Sequence, residues 1–164
     1  MNSKKYFIVG AVLVILAVTV AAITLGGKSE LDQVRDATAI YSSVEAAEAA
    51  GFVNVNVDEC VASPEGAMGY HFVNFELVDL ELDPLQPEIM VFIPDGDGGM
   101  KLGAVEYAVP IEPWDAMNDS PPTVLGQELH PNPVLGLYVL HAWVHEANPS
   151  GVFADWNPNV SCEM

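Results

Sequence analysis

Four histidines and one glutamate carry the chemistry this chain can offer: His71, His130, His141, His145 and Glu106. Strand-like alternation through residues 100–109 sets Glu106 on an apolar face with Leu102, Ala104 and Ala108, so its carboxylate points into a core. A buried carboxylate needs a partner or takes up a proton. Basic partners are scarce, because beyond residue 27 the only cations are Lys28, Arg35 and Lys101. The first two belong to an N-terminal helical stretch, and Lys101 alternates to the opposite face. His71 shares a strand face with Val73, Phe75 and Leu77, and His141 shares one with Val139 and Trp143. Three facing strands would bring His71, Glu106 and His141 together. Two imidazoles and a carboxylate suit a divalent transition metal, whether zinc, iron, manganese, copper or nickel. His130, in Leu129-His130-Pro131, could add a fourth ligand from a proline-rich loop. The same convergence arises when a buried His–Glu hydrogen bond fixes strand register with no metal, and both readings stay open here. His145 shares the His141 face, but beside Glu146 at a strand end it is expected to face solvent.

Other signals are weaker. The chain holds no G-x-S-x-G, no phosphate-binding loop, no dinucleotide fingerprint and no HxH or HExxH spacing. Asp95-Gly96-Asp97-Gly98-Gly99 superficially resembles a calcium loop, with Glu106 at the twelfth position. Glycine at the fifth place and flanking strands instead of helices make it a hairpin turn. Asn118-Asp119-Ser120 and Asn159-Val160-Ser161 are N-glycosylation sequons, meaningful only in a cell with that machinery. Trp114, Trp143 and Trp156 read as core and rim packing rather than a sugar platform.

The elements that must position these residues follow from periodicity and punctuation. Residues 29–41 read as a helix, with Ser29 as N-cap, Glu30 and Asp32 in the first turn, and Leu31, Val34, Thr38 and Tyr41 at helical spacing. Ser42-Ser43-Val44-Glu45 offers a capping box for a second short helix that Gly51 ends. From residue 52 the pattern changes to strands. These span residues 68–78, 88–93, 100–109 and 135–144, with the Asp95–Gly99 turn joining the middle two. Residues 110–133 hold six prolines and are expected to be loop, and residues 148–162 are rich in turns.

Composition bounds the whole. The 164 residues are 51% hydrophobic, enough for one domain with a real core. Five Lys and Arg face 23 Asp and Glu, a net charge of −18, which argues against a nucleic-acid partner. Residues 6–25 carry no charge and are long enough to cross a bilayer as a helix. Lys4 and Lys5 predict a cytoplasmic N-terminus and an extracytoplasmic body, anchored in the cell membrane by a single pass. A cleaved signal peptide, leaving a secreted body, is the alternative. None of the acids precedes Lys28, so the body carries 23 acids against three cations, a net −20. An acidic surface of this kind suits a saline habitat or the capture of cations. The two cysteines, Cys60 and Cys162, both fall in the body, where a single pair in an oxidising compartment is expected to form one disulfide. The expected class is α+β. A transmembrane helix (residues 1–27) and membrane-proximal helices (28–51) precede a compact, mainly antiparallel β-sheet or small barrel (52–164).

Gly69-Tyr70-His71-Phe72-Val73-Asn74, Val105-Glu106-Tyr107, His141-Ala142-Trp143 and the run Asn148-Pro149-Ser150-Gly151-Val152-Phe153-Ala154-Asp155-Trp156-Asn157-Pro158 resemble an uncharacterised family of secreted or membrane-anchored prokaryotic proteins. The resemblance covers about residues 36–162. It implies that His71, Glu106, His130, His141, Cys60 and Cys162 belong to the family pattern and that His145 does not. It brings no activity, substrate or small-molecule or protein partner. Two functional classes follow. One is a metal-binding extracytoplasmic domain, with the metal available as Lewis acid or to activate water. The other is a non-catalytic, acidic cell-surface domain whose His–Glu cluster is structural.

Overall fold

The computed structural model describes residues 27–55 and 59–163. The predicted transmembrane segment lies outside them; among the described residues no helix is long and apolar enough to cross a membrane. Two short helices lead into the sheet. Helix α1, Glu30–Thr38, starts where the Ser29 hydroxyl accepts a hydrogen bond from the Asp32 backbone N–H, and a 3₁₀ turn, Ala39–Tyr41, extends it. Helix α2, Val44–Ala49, is capped by Ser43, one residue later than the capping box suggests, because the Ser43 hydroxyl takes the Ala46 N–H. Gly51, at φ +94°, provides the left-handed residue that ends α2.

The remaining chain builds an antiparallel sheet. Its strands are β1 (Val53–Asn54), β2 (Val61–Ser63), β3 (Gly66–Val73), β4 (Ile89–Pro94) and β5 (Met100–Pro110). A one-turn helix, α3 (Ile111–Asp115), follows, then β6 (Thr123–Val124), β7 (Gln127–Glu128), β8 (His130–Asn132) and β9 (Leu137–Ala142). The order across the sheet is β1-β3-β4-β5-β9-β8, with β2 also paired to β3 and β6–β7 a separate hairpin. Among the described residues this is an open sheet, not a barrel. The supposed loop 110–133 thus holds α3 and three short strands: Pro110 ends β5, Pro113 falls in the first turn of α3 where an N–H has no helical partner, Pro121 and Pro122 precede β6, and Pro131 and Pro133 lie in or just after edge strand β8. The strand through His71 stops at Val73, and Asn74 turns the chain instead of extending it.

The two faces of the sheet are covered differently. On one, Phe72, Phe92, Met90, Tyr107 and Val105 form a dry core under Val34 of α1 and Ala47 of α2. On the other, Val91, Ile89, Ala104, Ala108 and Val139 form a smaller cluster with Trp143 and Val160. Here the cover is the C-terminal coil. Trp143 N–H donates to Val152 O, Ala67 and Asn157 exchange backbone hydrogen bonds, and Cys60–Cys162 closes a separation of 102 residues. Gly66 permits that approach: a Cβ there would stand 2.3 Å from the Asn157 carbonyl oxygen.

Strict alternation fails once in β5. Val91 pairs with Ala104 but Phe92 pairs with Leu102, leaving Gly103 as a bulge. Leu102 therefore joins the helix-covered core, not the Glu106 face as alternation predicts. Lys101, opposite Ile93, is shifted to the Glu106 side, yet its exposed ammonium bonds Glu146 at 2.6 Å and stays away from the glutamate.

Candidate metal centre

Register explains why three distant residues meet. Val73, Ile89, Glu106 and His141 form one row across β3, β4, β5 and β9, and His71, Val91 and Ala104 form the next. Glu106 is thus the direct cross-strand neighbour of His141. His71 stands two strands from β5, roughly 10 Å at the usual interstrand spacing, and its ring and the Glu106 side chain span that gap above β4. Ala104 and Ala108, on either side of Glu106, leave room for the rings. The His141 ring stacks against Trp143 with centroids 6.4 Å apart, and the His71 ring meets it edge-on at 5.4 Å.

The three side chains are buried: His71 is 9% exposed, Glu106 6% and His141 1%. His71 Nε2 lies 3.5 Å from Glu106 Oε2 and 3.3 Å from His141 Nε2, and His141 Nδ1 lies 3.4 Å from Glu106 Oε1. One ligand atom from each residue fits within a mutual separation of 4.8 Å. A tetrahedral metal with ligands at about 2.0–2.2 Å has ligand–ligand edges of about 3.3–3.6 Å. The closest approaches of the three groups fall on that scale, although they use both Glu106 oxygens and both His141 nitrogens; one atom from each residue is held within 4.8 Å, so a bound ion would draw the three slightly together. For ordinary hydrogen bonds they are long, and the Nδ1 atoms of both histidines are buried without a hydrogen-bond partner. The group could therefore hold a metal ion.

Electrostatics point the same way. Burial pushes Glu106 up to about 8, and the charges of Asp155 and Glu88 add to the shift. Burial also lowers His71 to about 4 and takes His141 well below the usual imidazole range. Burial thus favours the uncharged form of all three groups, a carboxylic acid and two neutral imidazoles. A divalent ion would supply the positive charge that no Lys or Arg among the described residues brings to the trio, and would ionise Glu106 on binding.

The trio opens into a cavity of about 690 Å³. His130, the expected fourth ligand, lines it from β8 but does not join the three-residue group. Its side chain is 47% exposed, and its Nε2 lies 3.6 Å from Asp155 Oδ2. Asp155 is the residue that pattern reading misses. Its other oxygen lies 3.8 Å from His141 Nδ1, so it stands between the rim histidine and the buried one. No strand period marks it, since the C-terminal coil delivers it. Glu88 is a second buried carboxylate without a sequence signal. Burial pushes it up to about 8, while it accepts a hydrogen bond from the Ala108 N–H at 3.0 Å.

His145, expected at the surface, is half-buried, and its Nε2 lies 2.8 Å from the Thr38 hydroxyl. The Asp95 carboxylate is used by its own turn, accepting from Asp97 N–H and Gly99 N–H. Trp143 is buried, Trp156 lines the cavity, and Trp114 is half-buried with its indole N–H on Ser120 O. Both sequon asparagines, Asn118 and Asn159, are exposed. Compared with protein-family models, curated proteins and solved structures, the chain matches none.

Proposed function

We propose that this protein is a metal-binding domain carried on the extracytoplasmic side of a membrane, with residues 6–25 as its anchor and His71, Glu106 and His141 as ligands of one divalent transition metal. The observation that carries the reading is the trio itself. Two imidazoles and a carboxylate are gathered with one ligand atom from each inside 4.8 Å, and among the described residues no basic side chain balances the glutamate. A purely structural His–Glu cluster is expected to be closed off and fully paired; this one lines an open cavity, and its three cross-contacts are 3.3–3.5 Å long. Three protein ligands leave a coordination position on the cavity side for water or a ligand, the arrangement that lets a metal act as Lewis acid or activate water. The disulfide is compatible with an oxidising compartment, in keeping with the body lying outside the cytoplasm.

Elemental analysis of the purified full-length chain, before and after chelator, tests the reading. The expected result is about one transition metal per chain, lost to chelator and regained on adding zinc. Glu106→Gln should weaken zinc binding by more than about 100-fold, since even residues that only support a ligand are worth 10–100-fold. Background metal in the wild type, unchanged by zinc, would refute it.

A further inference from the structure

The walls of the cavity say what could occupy it. Met68, Val78 and Leu137 line it, and Phe75, Val134 and Leu135 line it while being 65%, 92% and 62% exposed, which marks where it opens. The titratable lining groups are three histidines, Glu106 and Asp155, with no Lys or Arg among them. An apolar chamber with a few convergent polar groups at its floor is the usual form of a small-molecule site. Here one of those groups, His141, is 1% exposed and has an unpartnered ring nitrogen.

The charge balance selects among ligands. The charge of a divalent ion held by Glu106 would be offset by that carboxylate and by Asp155, 3.8 Å beyond His141 Nδ1, so an anionic head group gains little net attraction there. It would also approach against a body of net charge −20. A cationic ammonium head has no lone pair to offer the open position on a metal. We propose that the cavity binds an uncharged small molecule with an apolar body and a single oxygen donor, an alcohol or carbonyl compound, whose oxygen takes the open position on the metal. This rests on the metal reading above.

The test uses the zinc-loaded full-length chain in detergent micelles, with 1-octanol, 1-hexanol, octanoate and octylamine as probes and indole emission as readout, Trp156→Phe identifying the part of the signal that comes from the cavity wall. Leu135→Glu, at an exposed position, places a charge at the cavity opening and serves as the partitioning baseline in the same micelles. The expected result is saturable binding of 1-octanol. It should weaken about fourfold for each CH₂ removed, fall at least tenfold in Leu135→Glu with zinc content unchanged, and weaken when zinc is stripped. Octanoate or octylamine binding tighter than 1-octanol would overturn the uncharged class. Zinc bound at one per chain with no saturable binding of any probe would overturn the inference and leave the metal reading standing. Octanol binding that is indifferent to zinc would overturn the role assigned to the metal. Failure of zinc itself to bind would instead overturn the metal reading on which the inference rests.

Discussion

The two faces of one sheet make opposite use of burial. On the helix-covered face, Phe72, Phe92, Met90 and Tyr107 pack under α1 and α2, and the polar groups that intrude are paired. Thr38 donates to Val34 O and Tyr107 to Pro84 O. On the other face the side chains are smaller, the cover is coil held by a disulfide, and two buried imidazole nitrogens lack partners. Unsatisfied buried polarity is costly, and a face that carries it beside a His–Glu–His group has room for a bound ion that the other face lacks. The difference teaches that the first face makes the fold and the second uses it.

The largest way to break this contrast is to release the cover. Replacing Cys60 and Cys162 together by Ser should cost up to about 4–5 kcal/mol in urea unfolding, the loop-closure value for a linkage of this length. It should also loosen Asp155 and Trp156 from the cavity. A loss below about 1 kcal/mol would mean that the Ala67–Asn157 bridge and the Trp143 contacts hold the coil unaided. On the helix side, Phe92→Ala should cost about 3–5 kcal/mol. Zinc stoichiometry in the protein that remains folded should not change. Loss of zinc from folded Phe92→Ala would show that the faces are coupled.

Another effect appears only as pH rises. Glu88, buried near Tyr107, has a folded pKa raised from the ordinary carboxylate value to about 8. The folded state therefore holds a proton that the unfolded state has released between about pH 4.5 and 8. Stability from this group is full below that window and is lost as pH rises through it. Glu88→Gln keeps an acceptor for the Ala108 N–H and removes the titration. Relative to wild type it should gain up to about 5 kcal/mol at pH 9 and almost nothing at pH 4. Unfolding curves at the two pH values check this, and an equal shift at both would assign the effect to packing instead.

Much of this contrast is legible in the sequence, and the missing parts share a cause. Helix starts at Ser29 and near Ser43, the turn at Asp95–Gly99 and the inward Glu106 follow from local periods and caps, which act within a few residues. The convergence of His71 and His141 on Glu106 also follows, because alternation alone fixes the side of each strand. The Gly103 bulge does not, since a bulge is a property of two strands and nothing in one strand counts the partner's residues. Asp155 escapes for a similar reason. Its place depends on Cys162 reaching Cys60 and Asn157 reaching Ala67, contacts that no period encodes. The prolines around His130 suggest a loop, but edge strand β8 tolerates Pro131 and sets the histidine at the cavity wall.

X-ray absorption at the metal edge of the zinc-loaded full-length chain tests the central claim most directly, because it counts ligands by type. The account predicts oxygen and nitrogen neighbours at about 2.0–2.2 Å, with imidazole scattering from two histidines that falls to one in His71→Ala. A spectrum without imidazole scattering, or one unchanged in His71→Ala, would contradict it.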